Sequence, residues 1–246
     1  GSGVPGLGFR ARFPVPGSMR RTASRCRAAL FVLGCAICLL GSPCAMAGAA
    51  SRARQGAGPE DYVLVMHKMC PFAQRAWFAM EESGLKFKLK EVGLGAQLVY
   101  DLNPKGLVPV LVDPSGKVMV ESEDIVDAIA ESSTSPMGKP AMPDRVDQIR
   151  GLVNQRLLPA GKKAKMFGQP GDLGPVLQDL EKMVVGPFMA GAEITTADIS
   201  AAPMLQRLFE DRMVPKELTN LHSWWEALNA RPSFQETVVR SYWWWW

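Results

Sequence analysis

Asp61-Tyr62-Val63-Leu64-Val65-Met66-His67, followed at once by Lys68-Met69-Cys70-Pro71-Phe72-Ala73-Gln74-Arg75-Ala76-Trp77, reads as a strand running into a helix. The first seven residues are β-branched, aromatic and apolar enough for a short buried strand. Cys70 and Pro71 open the helix, with proline at the first helical position, where its missing N–H costs nothing. Ala73, Ala76, Trp77 and Met80 then recur at i, i+3, i+4 and i+7, the stripe of a core-facing helix. Gly84 supplies the C-terminal stop.

Downstream, Lys86 to Val92 (KFKLKEV) alternates, with Phe87 and Leu89 facing one way and three lysines the other, which is a half-buried strand. A short helix is expected over Ala96 to Leu102, then a turn at Asn103-Pro104-Lys105-Gly106. Val108 to Val112 and Lys117 to Val120 read as two short strands joined by Asp113-Pro114-Ser115-Gly116 as a hairpin turn. Ser122 starts a further helix with Glu123 and Asp124 in its first turn and Ile125, Val126 and Ile129 facing in. The order β-α-β-α-β-β-α is the thioredoxin-like order. Beyond a Pro- and Ser-rich linker, residues 133–143, every convincing segment is helical. The clearest begins at a capping box, Thr195-x-x-Asp198, ahead of Ile199, Ala202, Met204, Leu205 and Leu208. The expected fold class is an α/β thioredoxin-like domain over residues 60–132 followed by an all-α domain over residues 144–241, with no internal repeat.

Charge divides the chain sharply. Residues 1–59 carry eight arginines and no lysine or acidic residue, so within a net charge of +4 the remainder, residues 60–246, is at −4. A mildly acidic body with no basic stripe argues against nucleic-acid binding. The first 59 residues read as a leader. MRRTASRCR from Met19 is a basic n-region, AALFVLGCAICLLG is an apolar run, and Ala45-Met46-Ala47 is an A-x-A site. The apolar run is short of the roughly 20 residues a spanning helix needs. A cleaved signal, an uncleaved anchor and an N-terminal artefact are the three readings. GAASRARQGAGP after the A-x-A site is transit-like, so a plastid reached by two-step import is favoured over secretion. The tail Tyr242-Trp243-Trp244-Trp245-Trp246 reads either as a cap on a pocket or membrane interface, or as an artefact.

Four of the five cysteines lie in the leader, at 26, 35, 38 and 44, leaving Cys70 alone in the body. With only His67 and His222 besides, neither an internal disulfide nor a metal-ligand cluster is expected. Cys70 sits where a strand meets a helix N-terminus, so its thiolate would feel the positive end of the helix and unpaired N–H groups. Lys68 is expected to add positive charge, and the thiol pKa is expected below its ordinary value near 8.5. The competing reading is a buried structural cysteine. Position 73, where a dithiol oxidoreductase would carry its resolving cysteine, holds Ala73, so the site is monothiol and a second thiol must come from outside.

Cys70-Pro71-Phe72-Ala73-Gln74-Arg75 resembles the active-site signature of the cysteine-type glutathione transferases: the omega and lambda classes and the dehydroascorbate reductases. Asn103-Pro104-Lys105-Gly106-Leu107-Val108-Pro109-Val110-Leu111 looks like their cis-proline loop, Glu121-Ser122 like their γ-glutamyl-binding pair, and Thr195 to Asp198 like the capping box of their helical domain. The likeness spans residues 61–240. It implies that Cys70 is catalytic and that residues 60–132 bind glutathione. Val108, before Pro109, would exchange backbone hydrogen bonds with the cysteinyl part of glutathione, as an added strand does, and a cis peptide there is affordable for proline. Ser122 would bind the γ-glutamyl carboxylate through its hydroxyl and N–H, or serve as an ordinary N-cap. Glu121 would pair with the ligand's ammonium. Phe72 would line the site or belong to the core. Gly95 falls where the omega pattern carries a lysine for the glycyl carboxylate, so that contact is lost or passes to a base such as Lys105. Trp77 leans toward lambda and the Leu-Val-Pro-Val-Leu loop toward omega.

Two functions follow from the resemblance. One is a glutathione-dependent thiol transferase, acting by deglutathionylation or dehydroascorbate reduction. Glutathione is then a co-substrate rather than a tightly bound cofactor, with a small oxidised or glutathionylated acceptor. The other is a non-catalytic ligand-binding or chloride-intracellular-channel-like protein on the same fold. The body carries no apolar stretch long enough to span a bilayer, so no stable membrane insertion is expected after leader removal. Nothing in the sequence separates a monomer from a homodimer.

Overall fold

A computed structural model describes residues 61–93 and 95–239. The leader read at 1–59 and the tryptophan tail at 242–246 lie outside the described residues.

The strand expected at the start is β1 (Tyr62–Met66), and the helix after it is α1 (Pro71–Ser83), with Cys70 as N-cap and Gly84 in the left-handed C-cap conformation at φ 71°. There follow β2 (Phe87–Glu91), α2 (Gln97–Leu102), β3 (Val110–Val112), β4 (Val118–Met119) and α3 (Ser122–Ser132). The four strands form one sheet in the order β2-β1-β3-β4. β1 pairs parallel with β2, Tyr62 opposite Phe87, and antiparallel with β3, Leu64 opposite Leu111. β3 is shorter than the expected Val108 to Val112. Pro109 has no N–H to give to a ladder, and β3 begins just after it; the Val108–Pro109 peptide is cis.

Helix α1 is buried more completely than its four-residue stripe predicts. Phe78 and Ala79 are as inaccessible as Ala76 and Met80, and even Gln74 and Arg75 are buried. The reason is that α3 and α7 cover what the sheet does not. A helix enclosed on all sides has no solvent face on which to spend polar residues, so Gln74 and Arg75 must find partners inside.

After α3 the chain forms a 3-10 turn (Pro136–Gly138), then α4 (Pro143–Leu152), a π-turn (Val153–Leu157), α5 (Leu158–Phe167), α6 (Leu173–Met183), α7 (Thr196–Glu210), α8 (Thr219–Asn229) and α9 (Pro232–Gln235). The Pro- and Ser-rich run is pinned to the core at Met137, which is 1% exposed. Gly138 permits this, because a Cβ there would lie 2.1 Å from the Ala130 carbonyl oxygen.

The capping box is present at the start of α7. Asp198, fully buried, accepts the Thr195 N–H at 2.8 Å and the Thr195 hydroxyl at 2.9 Å. It also accepts the Met189 N–H and the Trp224 indole N–H, each at 2.8 Å. One carboxylate thus joins α7, the turn before it and α8. Replacing one oxygen by an amide nitrogen sets a donor against donors, and each buried group so orphaned costs on the order of 1–3 kcal/mol. Asp198→Asn should therefore lower unfolding free energy by about 3 kcal/mol in urea titration. A loss under about 1 kcal/mol would show that these four bonds do not hold the helical half together.

Candidate active site

The sulfur of Cys70 lies between the start of α1 and the loop before β3. Cys70 caps α1 with extended backbone angles, φ −77° and ψ 120°, and its N–H donates to the His67 carbonyl at 2.9 Å. The N–H groups of Phe72 and Ala73 in the first turn favour the thiolate, although the sulfur makes no capping hydrogen bond to the helix. Across from it, the thiol donates to the Val108 carbonyl oxygen at 3.8 Å. The structure thus brings the Cys70 sulfur to the Val108 carbonyl, next to the cis Val108–Pro109 peptide.

The expected ionisation is corrected by this geometry. Burial is the strongest influence on Cys70 and pushes its thiol above the ordinary range; the two N–H groups, Arg207 and Arg75 pull it back without overcoming burial. The bond to Val108 works in the same direction, because only the protonated thiol can donate it. Lys68 takes no part in this: its Nζ lies 2.6 Å from Glu91 Oε2, at the surface. The cations that reach the sulfur come instead from within α1 and from α7.

Glu121 and Ser122 stand at the N-terminus of α3. Glu121 occupies the N-cap position without turning its side chain onto the helix, and Ser122 is the first helical residue rather than the cap. Glu121 Oε1 holds Lys105 Nζ at 3.1 Å, both well exposed, so a ligand ammonium would compete only with a weak surface pair. Gly95 is exposed with φ 78° and offers no side chain to a ligand. Phe72 is half-buried, with the Arg75 guanidinium 5.7 Å from its ring centre.

Sequence reading placed Glu123 only as an acid in a first helical turn, and gave Gln74 and Arg207 no role. In the structure Glu123 is a hub. Arg75 Nη1 donates to it at 2.6 Å, Arg150 Nε at 2.8 Å and the Ser200 hydroxyl at 3.0 Å. Burial would push its carboxyl up, but Arg75 and Arg150, with the Arg150 and Ser200 hydrogen bonds, hold it below the usual range. Arg75 also donates from Nε to the Ser200 carbonyl at 2.9 Å, while its Nη2 is buried with no hydrogen-bond partner among the described residues. A local signal existed: Gln74 and Arg75 interrupt a run that is otherwise wholly apolar. Their partners, 48 to 133 residues away, left none.

Comparison with known proteins matches the family model for the glutathione S-transferase N-terminal domain over residues 69–132, and the model for its C-terminal domain over residues 149–232. Glutathione S-transferase DHAR2 of Arabidopsis thaliana is 33% identical over 184 residues, covering 70% of this chain and 84% of that protein. Glutathione S-transferase L1 of the same plant is 27% identical over 196 residues, covering 70% and 79%. Among solved structures, glutathione transferase Omega 3C from Trametes versicolor superposes with a TM-score of 0.65 at 28% identity, covering 75% of this chain and 91% of its own.

Because the thiol is held up by burial in the folded protein, its neutral form is favoured until the pH exceeds the ordinary cysteine value. The alkylation rate of Cys70, followed on its peptide by mass, should climb with a midpoint above about 8.5. A midpoint below that value would mean the helix terminus and the arginines outweigh burial after all.

Proposed function

This chain belongs to the glutathione S-transferase family, and on that premise we propose that it works as a glutathione-dependent thiol transferase whose nucleophile is Cys70. The observation that carries the reading is the placement of the body's only cysteine: at the N-cap of α1, with its thiol donating to the Val108 carbonyl.

Glutathione lies along the cis-proline loop, its cysteinyl part exchanging hydrogen bonds with the Val108 backbone as an added strand. Its γ-glutamyl carboxylate meets the Ser122 hydroxyl and N–H at the positive end of α3, and its ammonium displaces Lys105 from Glu121. Phe72 borders the sulfur. The Cys70 thiolate attacks the glutathione sulfur of a glutathionylated acceptor, and the acceptor's sulfur departs with the electron pair. The enzyme is left as a Cys70–glutathione disulfide. Ala73 provides no internal thiol, so a second glutathione attacks that adduct, glutathione disulfide leaves and the Cys70 thiolate is restored. With dehydroascorbate the thiolate adds to a carbonyl carbon. One glutathione cleaves the adduct at the Cys70 sulfur, releasing ascorbate, and a second resolves the resulting disulfide.

The high thiol pKa makes the thiolate a minority near neutral pH, while what forms is the more nucleophilic for it. The relatives named DHAR favour dehydroascorbate among the acceptors. The transit-like leader, together with chloroplastic relatives in Oryza sativa and Arabidopsis thaliana at 25% identity, supports a plastid address.

Cys70→Ser should reduce glutathione-dependent turnover of bis(2-hydroxyethyl) disulfide and of dehydroascorbate to below about a hundredth of wild type, because a serine hydroxyl forms no disulfide. Circular dichroism should be unchanged. A variant that keeps about a tenth of the activity or more would remove Cys70 from the mechanism.

A further inference from the structure

A cleft of about 170 Å³ lies where the end of α3 and the 3-10 turn meet the starts of α4 and α7. A pocket for a drug-sized ligand runs to roughly 300–1,000 Å³, so this one suits a small molecule. Thr196, the first residue of α7, borders the cleft and is only 6% exposed. Its neighbour Thr195 gives its hydroxyl to Asp198, but the Thr196 hydroxyl has no hydrogen-bond partner among the described residues. A polar group so deeply placed and unmet calls for an explanation. Beside it, Met137, Pro140, Pro143 and Val146 make an apolar wall.

The charged side chains of the cleft are all acidic: Asp127 and Glu131 from α3, and Asp147 from α4. Asp127 is already served, because Arg150 donates to its Oδ1 at 2.7 Å and to its Oδ2 at 3.0 Å. Arg75 and Arg150 together balance Glu123 and Asp127. Glu131 and Asp147 have no ion-pair partner among the described residues, so two negative charges stay uncompensated. Neighbouring bases do not supply the balance. Arg145 is spent on the Met183 carbonyl, at 3.2 Å from Nε and 3.1 Å from Nη2, and Lys139 is exposed and does not border the cleft. Nor are the carboxylates gathered on one point: no group of three or more His, Cys, Asp or Glu among the described residues could hold a metal ion. The negative charge is spread across the cleft.

We propose that this cleft binds a short aliphatic diamine. An ammonium group has three donors and no acceptor, while a carboxylate only accepts and a hydroxyl can accept. One ammonium group is received by the Thr196 hydroxyl and one of the two free carboxylates, and the other ammonium group by the remaining carboxylate. The methylene stem lies on the proline and methionine wall, as the stem of a lysine lies on an apolar surface. Two separated positive charges match two separated negative ones, which a single metal ion does not. The inference goes beyond thiol transfer and uses none of the residues assigned to it.

Isothermal titration of the full chain with 1,4-diaminobutane at low ionic strength tests this. One molecule should bind per chain, and butylamine, with a single charge, about fivefold more weakly. Thr196→Val keeps the side chain's shape and removes the acceptor, and should weaken diamine binding about tenfold. Where that variant does not fold, Glu131→Gln combined with Asp147→Asn decides, because both residues are exposed. The double variant should also lose about tenfold in affinity. Dilution heat alone with the wild type overturns the proposal, and so does an affinity that the folded variants leave unchanged. Magnesium ion binding as tightly as the diamine would overturn it too, since charge screening would then account for the heat. Cys70→Ser should bind the diamine as the wild type does, so turnover and diamine binding can each fail without the other.

Discussion

The buried pair between Arg75 and Glu123 is the interaction on which the site's geometry depends. Arg75 lies one turn beyond Cys70 on α1, and Glu123 lies beside Ser122 on α3, 2.6 Å apart in a region where Arg75 is 2% exposed. Two charges in such a place attract strongly, but the cost of desolvating them is of the same order. Here the balance is tipped by the additional donors: Arg150 from α4 and Ser200 from α7 supply the remaining lone pairs of the carboxylate. The pair therefore does more than join two helices. It fixes the thiol's helix relative to the helix end that would receive the γ-glutamyl group, and it fastens both to the helical half of the chain.

Cys70 is placed between opposing influences. A helix terminus and two guanidinium groups favour the thiolate, while burial favours the thiol and prevails. For the nucleophile and leaving group proposed here, this is a workable compromise. A very acidic thiolate would leave fast but attack weakly. The enclosure that raises the pKa also strengthens every charge interaction made inside it.

Much of the fold was legible because its signals are local. Pro71 beside Cys70, Gly84 at the end of α1, the alternation of Phe87 and Leu89 with lysines, and Thr195 with Asp198 each state a backbone outcome within a few residues. The cis-proline loop at Val108–Pro109 was legible only through the family resemblance, because the local pattern put both residues in the strand, which begins two residues later. What could not be read was the pairing of charges. Lys68 sits two residues from Cys70 yet turns to Glu91, whereas Arg207, 137 residues away, reaches the Met69 carbonyl at its side. The partial burial of Cys70 was hidden likewise, since it depends on packing against a core assembled from residues far along the chain.

The central claim is that Cys70 carries glutathione covalently in the catalytic cycle. It is tested most directly by incubating the full chain with glutathione disulfide and mapping the adduct by peptide mass. The account predicts one glutathione on the Cys70 peptide, lost when free glutathione is added, with glutathione disulfide appearing in step. An unmodified Cys70 peptide, or an adduct that persists in millimolar glutathione, would contradict it.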